Sequence, residues 1–233
     1  MRDVPFTRSL PGRLLRRRKA MRADWDARAR KDAAFYIFPA ASAGADFEES
    51  GRRDLENLVL RGIALAPDAV AVEIGCGIGR LVKALAPRVG RIYACDLSPE
   101  MLSRAKAYCR DAKNVEFLRV DGDLAPIPRN TADLVYSHLV FQHVPSARFI
   151  RRYVREAFRV LKPGGVFRAN VDGRSRQWYR RWAADSWSGV VFSERRLRRE
   201  LAAAGFLAEE VTGTGTQYLW ATARKPGRAS SLS

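Results

Sequence analysis

The chain has 233 residues, 47% of them hydrophobic, which suits one globular domain of ordinary size with a large core. Its 42 Lys and Arg against 25 Asp and Glu give a net charge of +17, a field that attracts nucleic acid, anionic membrane or anionic substrates, although a GC-rich genome writes the same arginine and alanine excess on any protein. Three scattered cysteines (Cys76, Cys95, Cys109) exclude a disulfide framework, and no run of about 18 apolar residues exists to cross a membrane; no signal-peptide stretch follows the N-terminal arginines, so a cytoplasmic protein without metal ligands is expected.

Residues 1–45 read as a basic N-terminal arm or cap. A helix starts near Arg13 and offers Leu14, Leu15, Met21 and Trp25 for apolar contact, with core packing expected for Trp25; an aromatic stretch, "AFYIFPAA" (34–41), follows. A helix over 46–65 carries Leu55, Leu58, Val59 and Ile63 at helical spacing. From Ala69 strands and helices alternate. "AVAVEIG" is a buried strand, glycines follow it, and "RLVKALAPRV" is a helix. "GRIYACDLS" is a strand, and "PEMLSRAKAYCRD" a helix with Pro99 in its first turn. Strands follow in 115–123 and 132–141, then a helix over 146–161 that stops at "KPGG" and a strand, "GGVFRANV". The stretch 174–192, "RSRQWYRRWAADSWSGVVF", is too long for a plain connection and reads as a substrate lid. A helix over 193–206 has Ser193 as N-cap and Gly205 as its stop. Two last strands without a helix between them form a hairpin. The expected fold is therefore α/β: a doubly wound, mostly parallel seven-stranded sheet with one antiparallel strand and a helical arm. The domain spans 46–226, and 227–233 is a disordered tail.

The loop Gly75-Cys76-Gly77-Ile78-Gly79-Arg80 departs from the dinucleotide fingerprint, whose third glycine stands at the sixth position. Glu73, at the strand end, repels a pyrophosphate but suits a positively charged amino-acid portion. "VEIGCGIGR" resembles motif I of the class I S-adenosylmethionine-dependent methyltransferases. "VDGDLAPIP" (120–128), "ADLVYSHLVFQHV" (132–144) and "VREAFRVLKPGG" (154–165) are similar to later segments of the same family. The flanks resemble its small-molecule enzymes.

The resemblance implies S-adenosylmethionine as cofactor. It places Glu73, Gly75 and Gly77 at the methionine moiety, Asp96 on the ribose hydroxyls and Leu97 beside the adenine, with Cys76 and Met101 also binding the cofactor. The adenine aspartate is Asp121 or Asp123, the second preferred with the Leu124 amide beside it. Ser137 and His138 lie under the methyl group, and the N-terminal arm closes over the cofactor, with Trp25, Tyr36 or Arg52 touching it. Among the chain's two histidines, His143 is the first candidate to take a proton from an acceptor and His138 the second. Gln142 faces the acceptor. The implied reaction is methyl transfer to oxygen or nitrogen of a small molecule, one that the arginines of the lid would suit if anionic. An RNA methyltransferase using the basic surface is the alternative. The arginines at 148, 151, 152, 155 and 159 read as the solvated face of a helix.

Overall fold

The computed structural model describes residues 12–38, 46–174 and 189–227. Most of the expected lid (175–188), the start of the arm and the end of the tail lie outside the described residues. Helix α1 (Gly12–Ile37) leads to α2 (Phe47–Asp54), and a single π-helical turn covers Leu55–Val59. There follow β1 (Val70–Ile74), α3 (Arg80–Leu85), β2 (Arg91–Asp96), α4 (Pro99–Tyr108), β3 (Val115–Arg119) and β4 (Ala132–Ser137). A 3-10 turn at Phe141–His143 precedes α5 (Ala147–Val160), β5 (Leu161–Val171), α6 (Glu194–Ala204), β6 (Leu207–Thr212) and β7 (Leu219–Arg224). The seven strands form one sheet in the order β3-β2-β1-β4-β5-β7-β6. Only β7 runs antiparallel to its neighbours.

The sheet is buried on both faces because alternate residues of each strand point to opposite sides. Val72, Ile74, Val135, Phe167 and Ala221 join a core with α5 and α6. Ala71, Ile92, Leu134, Tyr136 and Trp220 join another with the π turn and α3. Helix α5 buries Phe149, Ile150, Tyr153, Val154, Ala157 and Val160, a one-sided stripe at helical spacing. Each of its large side chains contributes about 1.5–3 kcal/mol by leaving water.

Local signals set several ends as expected. Ser98 accepts from the Met101 amide with Pro99 next in line, Ser193 accepts from Arg196, and Gly205 ends α6 with φ 101°. Others differ. Helix α1 runs on through the aromatic stretch to Ile37 after a break at Asp32 (φ −166°, ψ 87°), whose carboxylate caps the second segment by accepting from the Phe35 amide. The helix expected over 46–65 ends earlier. Its last turn widens so that the Leu60 amide reaches the Leu55 carbonyl, a π-bulge that breaks the ladder. Strand β5 begins at Leu161, before the glycines, because Leu161 is fully buried and pairs with Ala132 across a register shift.

Candidate active site

The carboxyl ends of β1, β2, β4 and β5 open on one cavity of about 400 Å3, the position where sheets of this winding bind ligands. Glu73 and Tyr136 are partners in the β1–β4 register, and the Tyr136 hydroxyl donates to Glu73 Oε2 at 2.9 Å. Burial pushes the Glu73 carboxyl up to about 8, against the Tyr136 hydrogen bond and the Arg80 charge. Arg80 opens α3 and is 4% exposed. It pairs with Asp54 at 2.8 Å and donates to Ser50 Oγ at 3.1 Å.

The glycine loop turns sharply under the cavity. Gly75 and Gly77 have φ of 78° and 53°, backbone that side chains disfavour. A Cβ on Gly75 would stand 2.4 Å from Val140, and one on Gly77 2.5 Å from the tip of Ile37. Asp96 ends β2 with each carboxylate oxygen on a backbone amide, Oδ2 from Gly77 and Oδ1 from Ser98, both at 2.9 Å. Burial raises its pKa and these amides oppose the rise. Cys76 also lines the cavity, its thiol pushed up by burial and then by Asp96 and Glu73, so it packs as a neutral small residue.

Past β4 the chain crosses the cavity. The Leu139 amide donates to Asn170 Oδ1 at 2.8 Å, which holds Leu139 at φ 60°, a conformation a leucine adopts only when its surroundings fix it. His138 stacks on Trp220 at 5.5 Å. Burial, then the Arg80 charge, lower its pKa to about 4, so it is neutral at neutral pH and a weak base. His143 sits on the 3-10 turn with Nε2 3.2 Å from Gln142 Nε2. Gln142 Oε1 is buried without a hydrogen-bond partner among the described residues; a half-turn of that amide brings Oε1 onto the same imidazole nitrogen, where it can accept a hydrogen bond from Nε2–H and leave Nδ1 as the unprotonated nitrogen. At the end of β5, Asp172 holds Arg174 by Nε at 3.1 Å and Nη2 at 2.9 Å.

Of the residues named from sequence, Glu73, Gly75, Cys76, Gly77, Asp96, Leu97, Met101, Tyr36, His138 and His143 line this cavity. Ser137, Asp121, Asp123 and Leu124 do not. Ser137 Oγ donates to the Ile74 carbonyl and fastens β4 to β1. Asp121 pairs with Arg18 of α1 and Asp123 with Arg152 of α5. The Leu124 amide donates to Glu156 Oε2 at 3.1 Å. Val120 and Tyr153 join Leu97 and Met101 in the apolar part of the lining instead, and the Tyr153 hydroxyl accepts from the Gly122 amide. Tyr153 appears in the sequence only as one apolar position of the α5 stripe. Arg80 stood in the sequence only as the sixth residue of the glycine loop and Tyr136 only as part of the fourth strand, since their partners come from other elements. Trp25 lines the cavity as well as packing.

Residues 72–169 match a family model described as a methyltransferase domain. An uncharacterized methyltransferase of Synechocystis is 27% identical over 132 residues, 57% of this chain and 60% of that protein, so the chain spans less than two thirds of that relative's length. A methyltransferase of Haloferax volcanii, solved in complex with the Trm112 methyltransferase activator, superposes with a TM-score of 0.68 at 21% identity, over 90% of this chain and 99% of that one. The DhpI–SAH complex superposes with a TM-score of 0.64 at 23% identity, over 91% and 98%. The matched stretch carries the glycine loop with its flanking carboxylates Glu73 and Asp96, and the shared fold extends beyond it to β7. Residues 72–169 thus carry a methyltransferase domain, and the chain has the fold of the class I S-adenosylmethionine-dependent methyltransferases.

Proposed function

We propose that the chain transfers a methyl group to oxygen or nitrogen of a small-molecule acceptor, with an anionic acceptor favoured. The observation that carries this reading is the form of the cavity. At about 400 Å3 it has the size of a small-ligand site. Trp25 and Tyr36 of α1 line it, as do Arg174, Gln217 and Tyr218.

The residues present fit the cofactor. Asp96, already fixed by two amides, keeps further lone pairs for a diol; Glu73 offers a carboxyl where a cationic group would sit; Leu97, Met101 and Val120 give an apolar wall for a purine. When bound, S-adenosylmethionine supplies an electrophilic methyl on a sulfonium that departs as a neutral thioether. The protein's task is mainly alignment, for which orientation supplies about 7–11 kcal/mol. As the acceptor's lone pair forms the new bond, its proton needs a destination, and His143 is the group we assign to receive it. His138 supports the wall. Arg174, held by Asp172, is placed to meet an anionic group of the acceptor.

A second reading, RNA as acceptor, draws on the outer face of α1. There Arg16, Arg17, Lys19, Arg30 and Lys31 are exposed and make no ion pair among the described residues. The experiment that separates the two is transfer of labelled methyl from S-adenosylmethionine into a bacterial extract split into metabolites, RNA and protein. Label in the metabolite fraction is expected. Label in RNA that ribonuclease releases overturns the choice. Asp96→Ala should abolish label in every fraction, through a loss of about a hundredfold in cofactor affinity measured by calorimetry.

A further inference from the structure

Helix α1 touches both halves of the cavity. On the cofactor side Asp26 accepts from Ser98 Oγ at 2.5 Å, next to Asp96. Arg18 pairs with Asp121 at 2.8 Å, and Ile37 closes on Gly77. On the acceptor side Trp25 meets His143 edge to face, with ring centroids 5.3 Å apart and planes at 72°. Trp25 is itself gripped. The buried Arg28 guanidinium lies 5.1 Å from its centroid and 5.7 Å from that of Tyr36, a cation–π contact that is stronger for being shielded from water.

His143 needs such support. Its backbone belongs to a three-residue 3-10 turn, anchored where the Gly189 and Val190 amides donate to the Gln142 and Val144 carbonyls. Those bonds fix the turn but leave the imidazole two rotatable bonds. Gln142 meets one ring nitrogen, and the Trp25 indole covers another side of the ring. A base displaced by about 1 Å from its proton loses a large part of its effect.

We propose that Trp25 is a positioning residue: packed against His143 and braced by Arg28, it orients the imidazole toward the acceptor half of the cavity. Because Trp25 belongs to the helix that also closes on Gly77 and Ser98, the base is seated when the cap docks over the cofactor loop. This rests on the reading that His143 receives the acceptor's proton. It gives α1 a part in the reaction beyond covering the cofactor.

The chain has two histidines, so imidazole carbon–proton spectra of the whole protein, saturated with S-adenosylhomocysteine, hold two sets of signals. His138→Gln and His143→Gln assign them. Ring current from Trp25 displaces the His143 signals. Trp25→Leu should return them toward solvent-histidine positions and leave those of His138 unmoved, which shows that the fold persists. Trp25→Phe should keep a part of the displacement. His143 signals that stay put in Trp25→Leu overturn the proposal; if that variant unfolds, signals equally displaced in Trp25→Phe and the natural protein do so.

Label transfer into the metabolite fraction supplies the second arm. Trp25→Leu should lower the rate about tenfold and Trp25→Phe less than about threefold, against about a hundredfold for His143→Asn. An inactive His143→Asn beside a fully active Trp25→Leu removes the positioning role alone. A fully active His143→Asn removes the base reading, and the proposal with it.

Discussion

Glu73 carries a carboxyl whose pKa burial raises to about 8, far above the unfolded value near 4.3. Between those values the folded chain holds a proton that the unfolded chain releases. The associated stability is full below about pH 4.3 and lost as pH rises through about 8. A cationic ligand group beside Glu73 reverses the preference, because it favours the ionised carboxylate and expels the proton on binding. Affinity for S-adenosylmethionine should therefore rise from pH 6 to 8, by no more than about tenfold per unit, and level off above. Glu73→Gln, the same shape without the titration, should flatten that rise. Calorimetry in two buffers of different ionisation heat checks it, since proton release appears as a buffer-dependent enthalpy. An affinity that rises equally in Glu73→Gln assigns the titration to another group. His138 has the opposite sign. Its pKa of about 4 lies below the unfolded value near 6.5, so its contribution is present above pH 6.5 and lost as pH falls through 4. His138→Gln should soften acid unfolding in that window.

The glycine loop shows how an element stores its requirements in glycines that are not equivalent. Gly77 faces the Cδ1 tip of Ile37, which can turn away. Gly75 faces both methyls and the Cβ of Val140, a β-branched side chain stiff at χ1. Gly77→Ala should cost about 1–2 kcal/mol, mostly for the left-handed backbone, and Gly75→Ala about 2–4 kcal/mol, because overpacking adds to it. Urea unfolding midpoints check the order, and equal midpoints would mean that Val140 yields as readily as Ile37. The loop was legible in the sequence because its chemistry is local: a strand end, three glycines, and an aspartate closing the next strand. The alternation from Ala69 likewise contained the seven strands and the antiparallel hairpin. What was not legible depends on register or on distant elements. Tyr136 meets Glu73 only because β1 and β4 pair in that register. Asp123 looked like an adenine partner in its turn, yet Arg152 on α5 takes its carboxylate. Trp25 and His143 share no local pattern at all.

At the scale of the molecule the open question is what the net charge of +17 does. Part of it serves the fold. On α5, Arg151 faces Glu200, Arg152 pairs with Asp123, and Arg159 pairs with Glu156 while donating to the carbonyls of Ile127 and Leu124; only Arg148 and Arg155 of that expected solvated face are fully exposed. Helix α1 is different, since Arg16, Arg17, Lys19, Arg30 and Lys31 are exposed and make no ion pair among the described residues. Such a face should bind single-stranded RNA at low salt whatever the enzyme's substrate. With five phosphates neutralised, log affinity should fall against log salt with a slope of about −3.5, from 0.7 per contact. Replacing Arg16, Arg17, Lys19, Arg30 and Lys31 with glutamine should flatten that slope. None of the five lines the cavity, so label transfer into the metabolite fraction should stay at the unmodified rate. If the five-fold variant loses transfer together with RNA affinity, the basic face is the substrate's footprint, and the cavity behind α1 serves a base drawn in from a nucleic acid rather than a free small molecule.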